Sequence, residues 1–422
     1  MTPEDPLNII LPMDQALQRA YQASIKLEKI KGVERSQGIF LMAKGLEKAF
    51  DDILEANTLD LEMSREMAVP DLILSWLKLT PERLESVIEL LYHLKDLSDP
   101  IQRLMNAPYQ LQSSQTYCQL MPLGVIAFIY EAFPELSAIA AGFCLKTGNS
   151  LILRGCNEAS HSNQIIVETL QKALEEAELP QGCIEVLSCE DRASIEELVK
   201  QDQYLNLVIP YGRPSLIQQV TQLSSAPVLK TTMGNCYLYL SSSGELELTR
   251  AIILDSHKSQ PDPVNAIEKV LIDSNQKASF LSRLFSSLKE NNFQLRGDES
   301  LVKDFPEYLT IADISEWNNP YLRKIIAFKT VENINDAINF INRNSSAHAD
   351  SIITESYQES RQFAMGLDSA LVYINASPRF CRNPVEGESI FLGMSNQKGY
   401  HRGLIGLESF MTLKQIVQGN VS

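Results

Sequence analysis

The chain has 422 residues, room for two or three domains at about 150 residues each, and its 44% hydrophobic content is ordinary for a chain with a sizeable buried core. Its 53 acids against 37 bases leave a formal charge of −16, which repels phosphate backbones and anionic lipid and argues against nucleic acid or membrane as a partner. No apolar run reaches the ~18–20 residues of a membrane span, and Met1–Asp5 lacks the basic start of a signal peptide, so the expected location is the cytoplasm.

The first hundred residues read as helices. Leu17, Ala20, Tyr21, Ser24 and Leu27 share one helical face, with Gly32 as a stop. A second helix is predicted from about Ser36 to Ala56. Thr80-Pro81-Glu82 is a start signal, with a capping hydroxyl, a proline in the first turn and an acid at the positive end of the dipole. The helix it opens buries Leu84, Val87, Ile88, Leu91 and Leu94.

Near residue 115 the pattern changes. Short apolar runs at 124–130, 150–154, 183–187 and 205–209 alternate with helical stretches at 135–146, 160–177 and 192–201. Buried strands alternating with amphipathic helices imply a parallel doubly wound sheet, which binds ligands at the carboxyl ends of its strands. The Gly-x-Gly-x-x-Gly dinucleotide fingerprint is missing. From about 239 a second α/β unit begins, with strands at 266–272, 324–328 and 371–374, helices at 276–290 and 333–342, and a turn at Ser241–Gly244.

Seven cysteines, at 118, 144, 156, 183, 189, 236 and 381, form no Cys-x-x-Cys, and only five histidines accompany them. That pattern points away from a disulfide framework and from structural zinc. Cys236 reads as core. His257 and His401 read as solvated or loop residues, and Glu175, Glu176 and Glu178 as a solvated helix face.

Pro122-Leu-Gly-Val-Ile, Ile129-Tyr-Glu-Ala132, Leu145-Lys-Thr-Gly-Asn149 and Ile152-Leu-Arg-Gly155 resemble γ-glutamyl phosphate reductase, a branch of the aldehyde dehydrogenase superfamily. Further matches are Ile209-Pro210, Val372-Tyr-Ile-Asn-Ala-Ser377, Gln397-Lys398, Arg402-Gly403 and Gly406-Leu-Glu408. The resemblance runs from about residue 12 to the C-terminus. It implies an aldehyde dehydrogenase-like α/β architecture in three parts. A Rossmann-like cofactor domain takes 1–110, 123–238 and 376–398, and a catalytic-type α/β domain takes 239–375. An oligomerisation arm takes 111–122 and 399–422. The implied reaction is NADPH-dependent reduction of L-glutamyl 5-phosphate to glutamate 5-semialdehyde in proline synthesis. A thiolate attacks the acyl phosphate, phosphate leaves, and hydride reduces the thioester.

The family carries that thiol in Gln-Arg-Pro-Ser-Thr-Cys-Asn before a strand. The matching stretch is Ser259-Gln-Pro-Asp-Pro-Val-Asn265, with Pro261, Asn265 and Glu268 fixing the register and Val264 at the nucleophile position. Valine has no lone pair with which to attack. No cysteine lies between 236 and 381, so a one-residue slip supplies none. Cys381 is a candidate substitute, or a plain thiol with a packing role. The cofactor contacts that the resemblance implies also depart from the pattern. Gly-Gly-Lys reads Gly155-Cys156-Asn157 after Arg154, the glycine-rich turn reads Tyr211-Gly212-Arg213, and a ribose-binding glutamate aligns with Phe391. The substrate-side arginine and amide become Phe133 and Glu135. Asn265, Arg379 and Arg402 complete a substrate-like cleft, the arginines being suited to a carboxylate.

These changes make a non-catalytic interaction or regulatory member the leading expectation, with no cofactor. Its partners would be copies of itself, an active reductase or the glutamate kinase. An active NADP(H)-dependent reductase and a small-molecule sensor are the alternatives. The alternating Gln115–Pro122 strand and the Phe410–Val417 tail are expected to form the interface.

Overall fold

The computed structural model describes residues 12–109, 114–187, 195–258, 263–385 and 387–419. Cys189, the start of the helix expected at 192, residues 111–113 of the arm and Ser259–Asp262 lie outside them. The chain folds into two compact units, one of residues up to 231 with 382–392 and 405–422, the other of 232–381 with 393–404. The break falls at 231/232 rather than 238/239 because the strand Cys236–Leu240 is an interior strand of the second unit's sheet. Residues 376–381 and 393–398 also fold with the second unit, not with the first.

In the first unit, five helices precede the sheet: α1 (Met13–Leu27), α2 (Gly32–Lys48), α3 (Phe50–Glu66), α4 (Asp71–Leu77) and α5 (Pro81–Asp96). Gly32 opens α2 instead of ending α1, and the single helix expected at 36–56 is two helices meeting at Ala49. Thr80 Oγ1 accepts the Arg83 amide at 3.3 Å and so caps α5 as expected. After β1 (Leu104–Asn106) and β2 (Ser114–Pro122) come β3 (Val125–Tyr130), α6 (Leu136–Lys146), β4 (Ser150–Arg154), α7 (Ser160–Glu176), β5 (Ile184–Val186), α8 (Ile195–Val199), β6 (Leu207–Tyr211) and α9 (Pro214–Leu223). The four strands β5-β4-β3-β6 form a parallel sheet. Val125, Ala127 and Ile129 face α1, α8 and α9. Helix α6 is buried along its whole length. A Cβ on Gly142 would meet Leu91 at 2.6 Å, so the glycine permits α5 to lie close.

The second unit contains β7 (Cys236–Leu240), α10 (Leu246–Ser256), β8 (Ile267–Asp273), α11 (Ala278–Glu290), β9 (Gln294–Gly297), α12 (Glu299–Asp304), β10 (Thr310–Ile311), β11 (Ile325–Val331), α13 (Ile334–Asn344), β12 (Ala349–Ile353), α14 (Tyr357–Gly366) and β13 (Leu371–Ile374). Its seven strands run parallel in the order β10-β9-β11-β8-β7-β12-β13. The sheet is doubly wound. Leu238, Leu240, Val270 and Ile272 pack on α10 and α11, while Tyr237, Tyr239 and Leu271 pack on α13 and α14. Short strands β14 (Gly393–Ser395) and β15 (Gly403–Ile405) precede the C-terminal β16 (Met411–Gly419).

Strand β2 alternates as its sequence predicts: Thr116, Cys118 and Leu120 are buried, and Tyr117, Gln119 and Met121 are half-buried. It is not an uncovered projection. β1 pairs with it on one side at 104–106, and β16 pairs antiparallel along its full length on the other. The long edge belongs to β16, whose Leu413 and Val417 are exposed, and the three-residue β1 forms the short one.

Candidate functional site

Parallel strands leave their carboxyl ends, and the turns that follow, as the place where ligands bind. In the first unit these turns begin at Glu131, Gly155 and Gly212. Glu131 accepts the Arg213 amide at 2.8 Å and its guanidinium Nη2 at 2.9 Å. Gly212 has a φ of +153°, and a Cβ there would stand 2.6 Å from the Glu131 carboxylate, so a larger residue would displace the pair. The ion pair holds Arg213 above its ordinary pKa.

After β4, Arg154 Nη1 donates to the Gly155 carbonyl at 2.6 Å, and Cys156 Sγ accepts the Ala132 amide at 3.2 Å. Burial, opposed by that amide and reinforced by Glu158, pushes the Cys156 thiol up to about 12. It is therefore a protonated thiol at neutral pH and a poor nucleophile. Asn157 is exposed at the head of a single turn, Asn157–Ala159, with Glu158 beside it. The amides that open α7 are already taken: Asp60 accepts from His161 at 3.0 Å and from Ser162 at 2.8 Å. No local signal marks Asp60, because its partners lie a hundred residues on. By contrast the first turn of α9, which follows Arg213, has no side-chain cap.

Phe133 and Glu135 do not line an open cleft. Phe133 is buried, stacked on Trp76 at 4.8 Å and edge-on to Tyr211 at 5.8 Å. Glu135 is an ion pair with Arg83, whose Nε lies 3.1 Å away, so its charge is balanced within the fold. Phe391 is half-buried, with its amide donating to the Arg382 carbonyl at 2.8 Å.

In the second unit Val264 is fully buried, and its carbonyl accepts His348 Nε2 at 2.7 Å and the Gly234 amide at 3.0 Å. His348 also stands 3.3 Å from Cys236 Sγ, while its Nδ1 faces Ser346 Oγ at 2.8 Å. The sequence reading passed over His348. The pair resembles a catalytic thiol–imidazole dyad but is its electrostatic opposite. Burial lowers His348 to about 4 and raises Cys236 well above its ordinary value, so both are neutral at pH 7. His257 is also buried, not solvated: it lies against Phe293, bonds the Ile267 carbonyl at 2.9 Å, and is lowered by burial to about 4.

Asn265 Nδ2 donates to the Pro378 carbonyl at 2.9 Å, tying the residue after Val264 to the loop that carries Cys381. Among the described cysteines, Cys381 is the exposed one. Glu268 is structural. Its fully buried carboxylate accepts the amides of Asn235, Tyr321 and Leu322 at 2.7, 2.8 and 2.6 Å. Arg379 is exposed, 3.8 Å from Asp255. Arg402 is held by Asp368 at 3.3 Å, so the carboxylate expected from a ligand is supplied by the chain itself.

Two doubly wound units with ligand-facing strand ends define an aldehyde dehydrogenase-type protein, and the Aldehyde dehydrogenase family model matches residues 12–292. The chain belongs to the γ-glutamyl phosphate reductase branch of that family. It is 55% identical to Gamma-glutamyl phosphate reductase 2 of Synechocystis over 405 residues, 96% of each chain. It is 37% identical to Gamma-glutamyl phosphate reductase of Gloeobacter violaceus over 96% of each chain. The crystal structure of the Thermotoga maritima Gamma-glutamyl phosphate reductase superimposes with a TM-score of 0.87 at 30% identity, covering 99% of both chains.

Proposed function

We propose that the chain works in the cytoplasm at the step for which its relatives are named, taking L-glutamyl 5-phosphate to glutamate 5-semialdehyde in proline synthesis. The full-length 55% identity to the Synechocystis reductase carries this reading. The reaction needs a thiolate that attacks the acyl carbon, expels phosphate and leaves again once the thioester is reduced. With Val264 at the expected place, the thiol to test is Cys381, exposed on the loop that Asn265 tethers.

A nicotinamide dinucleotide supplies the hydride, and NADPH does so in the enzymes that the sequence resembles. The uncapped first turn of α9 offers amides to the diphosphate of such a molecule, next to a glycine at positive φ, while Arg213 beside it is balanced by Glu131. The test is semialdehyde oxidation by the purified chain in the presence of phosphate and NADP+ or NAD+. Turnover that Cys381→Ser abolishes is expected. No turnover under conditions where the Thermotoga relative is active overturns the reading.

Val264 favours a second reading, a non-catalytic member that regulates an active reductase or the glutamate kinase, or senses a glutamyl ligand. Its side chain is fully buried, and the thiol beside it, Cys236, 3.9 Å from the Val264 carbonyl, is held protonated. Light scattering of the chain mixed with an active reductase tests it, a mixed oligomer being the supporting result.

A further inference from the structure

In a βαβ nucleotide-binding unit the adenosine ribose lies at the end of the second strand. An acid at that point bonds the free 2′-hydroxyl, whereas a 2′-phosphate needs a cation there. The unit here is β3–α6–β4, and the residues that follow β4 are Gly155, Cys156, Asn157 and Glu158. They offer an amide and a carboxylate. The guanidinium groups described at this end of the sheet are turned onto protein acceptors: Arg154 onto the Gly155 carbonyl, Arg213 onto Glu131 and Arg382 onto the Tyr211 hydroxyl. Glu158 lies close enough to bond the Cys156 thiol and to act on Arg213. The helix that opens after the ribose turn, α7, has its first amides taken by Asp60, which also places a carboxylate where a phosphate would look for donors.

We propose that the Asn157–Glu158 turn makes this chain a selector of NAD(H) over NADP(H). The inference rests on the proposed reading of the first unit as a nicotinamide site, and it concerns binding alone. A 2′-phosphate would bring about two negative charges beside Glu158, and Asn157 meets them with an amide rather than a cation. The unphosphorylated ribose would present hydroxyls that a carboxylate accepts.

The experiment is titration of the full chain with NADH and with NADPH, followed by calorimetry and by the fluorescence of the reduced nicotinamide. NADH is expected to bind at least about tenfold more tightly than NADPH, by analogy with the cost of an unpaired charge at a site. Asn157→Lys, a change at an exposed position, is expected to close or reverse the difference by tightening NADPH. Glu158→Gln is expected to narrow it by weakening NADH. Equal or tighter binding of NADPH by the parent chain overturns the inference, and so does failure of both dinucleotides to bind at millimolar concentration. NADH binding without turnover leaves the inference standing and removes the reductase reading. Turnover with NADPH alone does the reverse.

Discussion

Glu268 is the residue on which the match to the thiol motif and the fold of the second unit meet, and its replacement gives a sharp test. Its carboxylate, fully buried, satisfies the backbone amides of Asn235, Tyr321 and Leu322. Lys269, equally buried, lies 3.8 Å from it and is lowered by burial to about 8. Glu268→Ala would orphan three amides, each worth about 1–3 kcal/mol when buried without a partner. It would also leave the ammonium without its counter-charge, lowering the Lys269 pKa further. The loss is expected to be at least about 4 kcal/mol. Glu268→Gln can still accept two amides but turns an NH2 toward the third, costing about 1–3 kcal/mol. Hydrogen exchange at the three amides, read beside the urea midpoint, localises the effect. Glu268→Ala with unchanged protection at 235, 321 and 322 and a midpoint within about 1 kcal/mol of the parent would refute the reasoning.

Val264→Cys is expected to add little to the parent's semialdehyde oxidation, since the new thiol would be buried like Cys236; a gain of more than about tenfold would contradict this. The two buried histidines should draw stability down on acidification. His257 and His348 drop from 6.5 to about 4 on folding, so each contributes about 3 kcal/mol above pH 6.5 that is lost as pH falls toward 4. Asp350, raised by burial from 3.8 to about 6, opposes this with stability present below 3.8 and lost as pH rises through 6, about 3 kcal/mol. Glu185, raised by burial from 4.5 to about 7, adds about 3 kcal/mol on the same side as Asp350, so the two sides nearly cancel. The histidine share is read from His257→Gln, whose urea midpoint should rise relative to the parent's as pH falls from 7 to 4.5; an unchanged difference would show the assignment to be wrong. The uncovered edge of β16, with Leu413 and Val417 exposed, should pair with another chain, giving a dimer by light scattering that Leu413→Glu/Val417→Glu disrupts; a 47.3 kDa monomer at micromolar concentration, alone and mixed with an active reductase, would remove the proposal.

The sheets were legible because their strands are buried on both faces and read as continuous apolar runs between helices. Val125–Tyr130 is buried at every position, and the sequence places it within one residue. The misses have a common physical origin. Cys236 matches a strand position of the family, but the boundary at about 239 divides its strand, because Cys236–Leu240 belongs to the second unit only through the helices on its two faces, tyrosines against α13 and leucines against α10. Gly32 is a stop in local chemistry, yet α2 begins there because Glu34 returns to the Lys31 amide at 3.0 Å. Tail and arm were predicted as separate interface strands, and pairing between residues nearly three hundred apart leaves no local trace.

The site was less legible than the fold because the motif residues around Val264 do two kinds of work. Asn265 holds the Pro378 carbonyl and Glu268 holds three amides, so both are required by the folded state whether or not a thiol sits beside them. A thiol at 264 would answer to chemistry alone, since the Val264 side chain contributes packing and its fold contacts run through the backbone carbonyl. A match at 265 and 268 therefore certifies the second unit's architecture and carries no information about the nucleophile. The same division runs through the first unit. Phe133 and Glu135, which look in sequence like lost ligand contacts, are an aromatic stack and a balanced ion pair. The positions that decide binding are those where a side chain faces a strand end with no structural partner to require it. Among the described residues Asn157 is the exposed member of that turn, which is why its substitution can separate cofactor choice from folding.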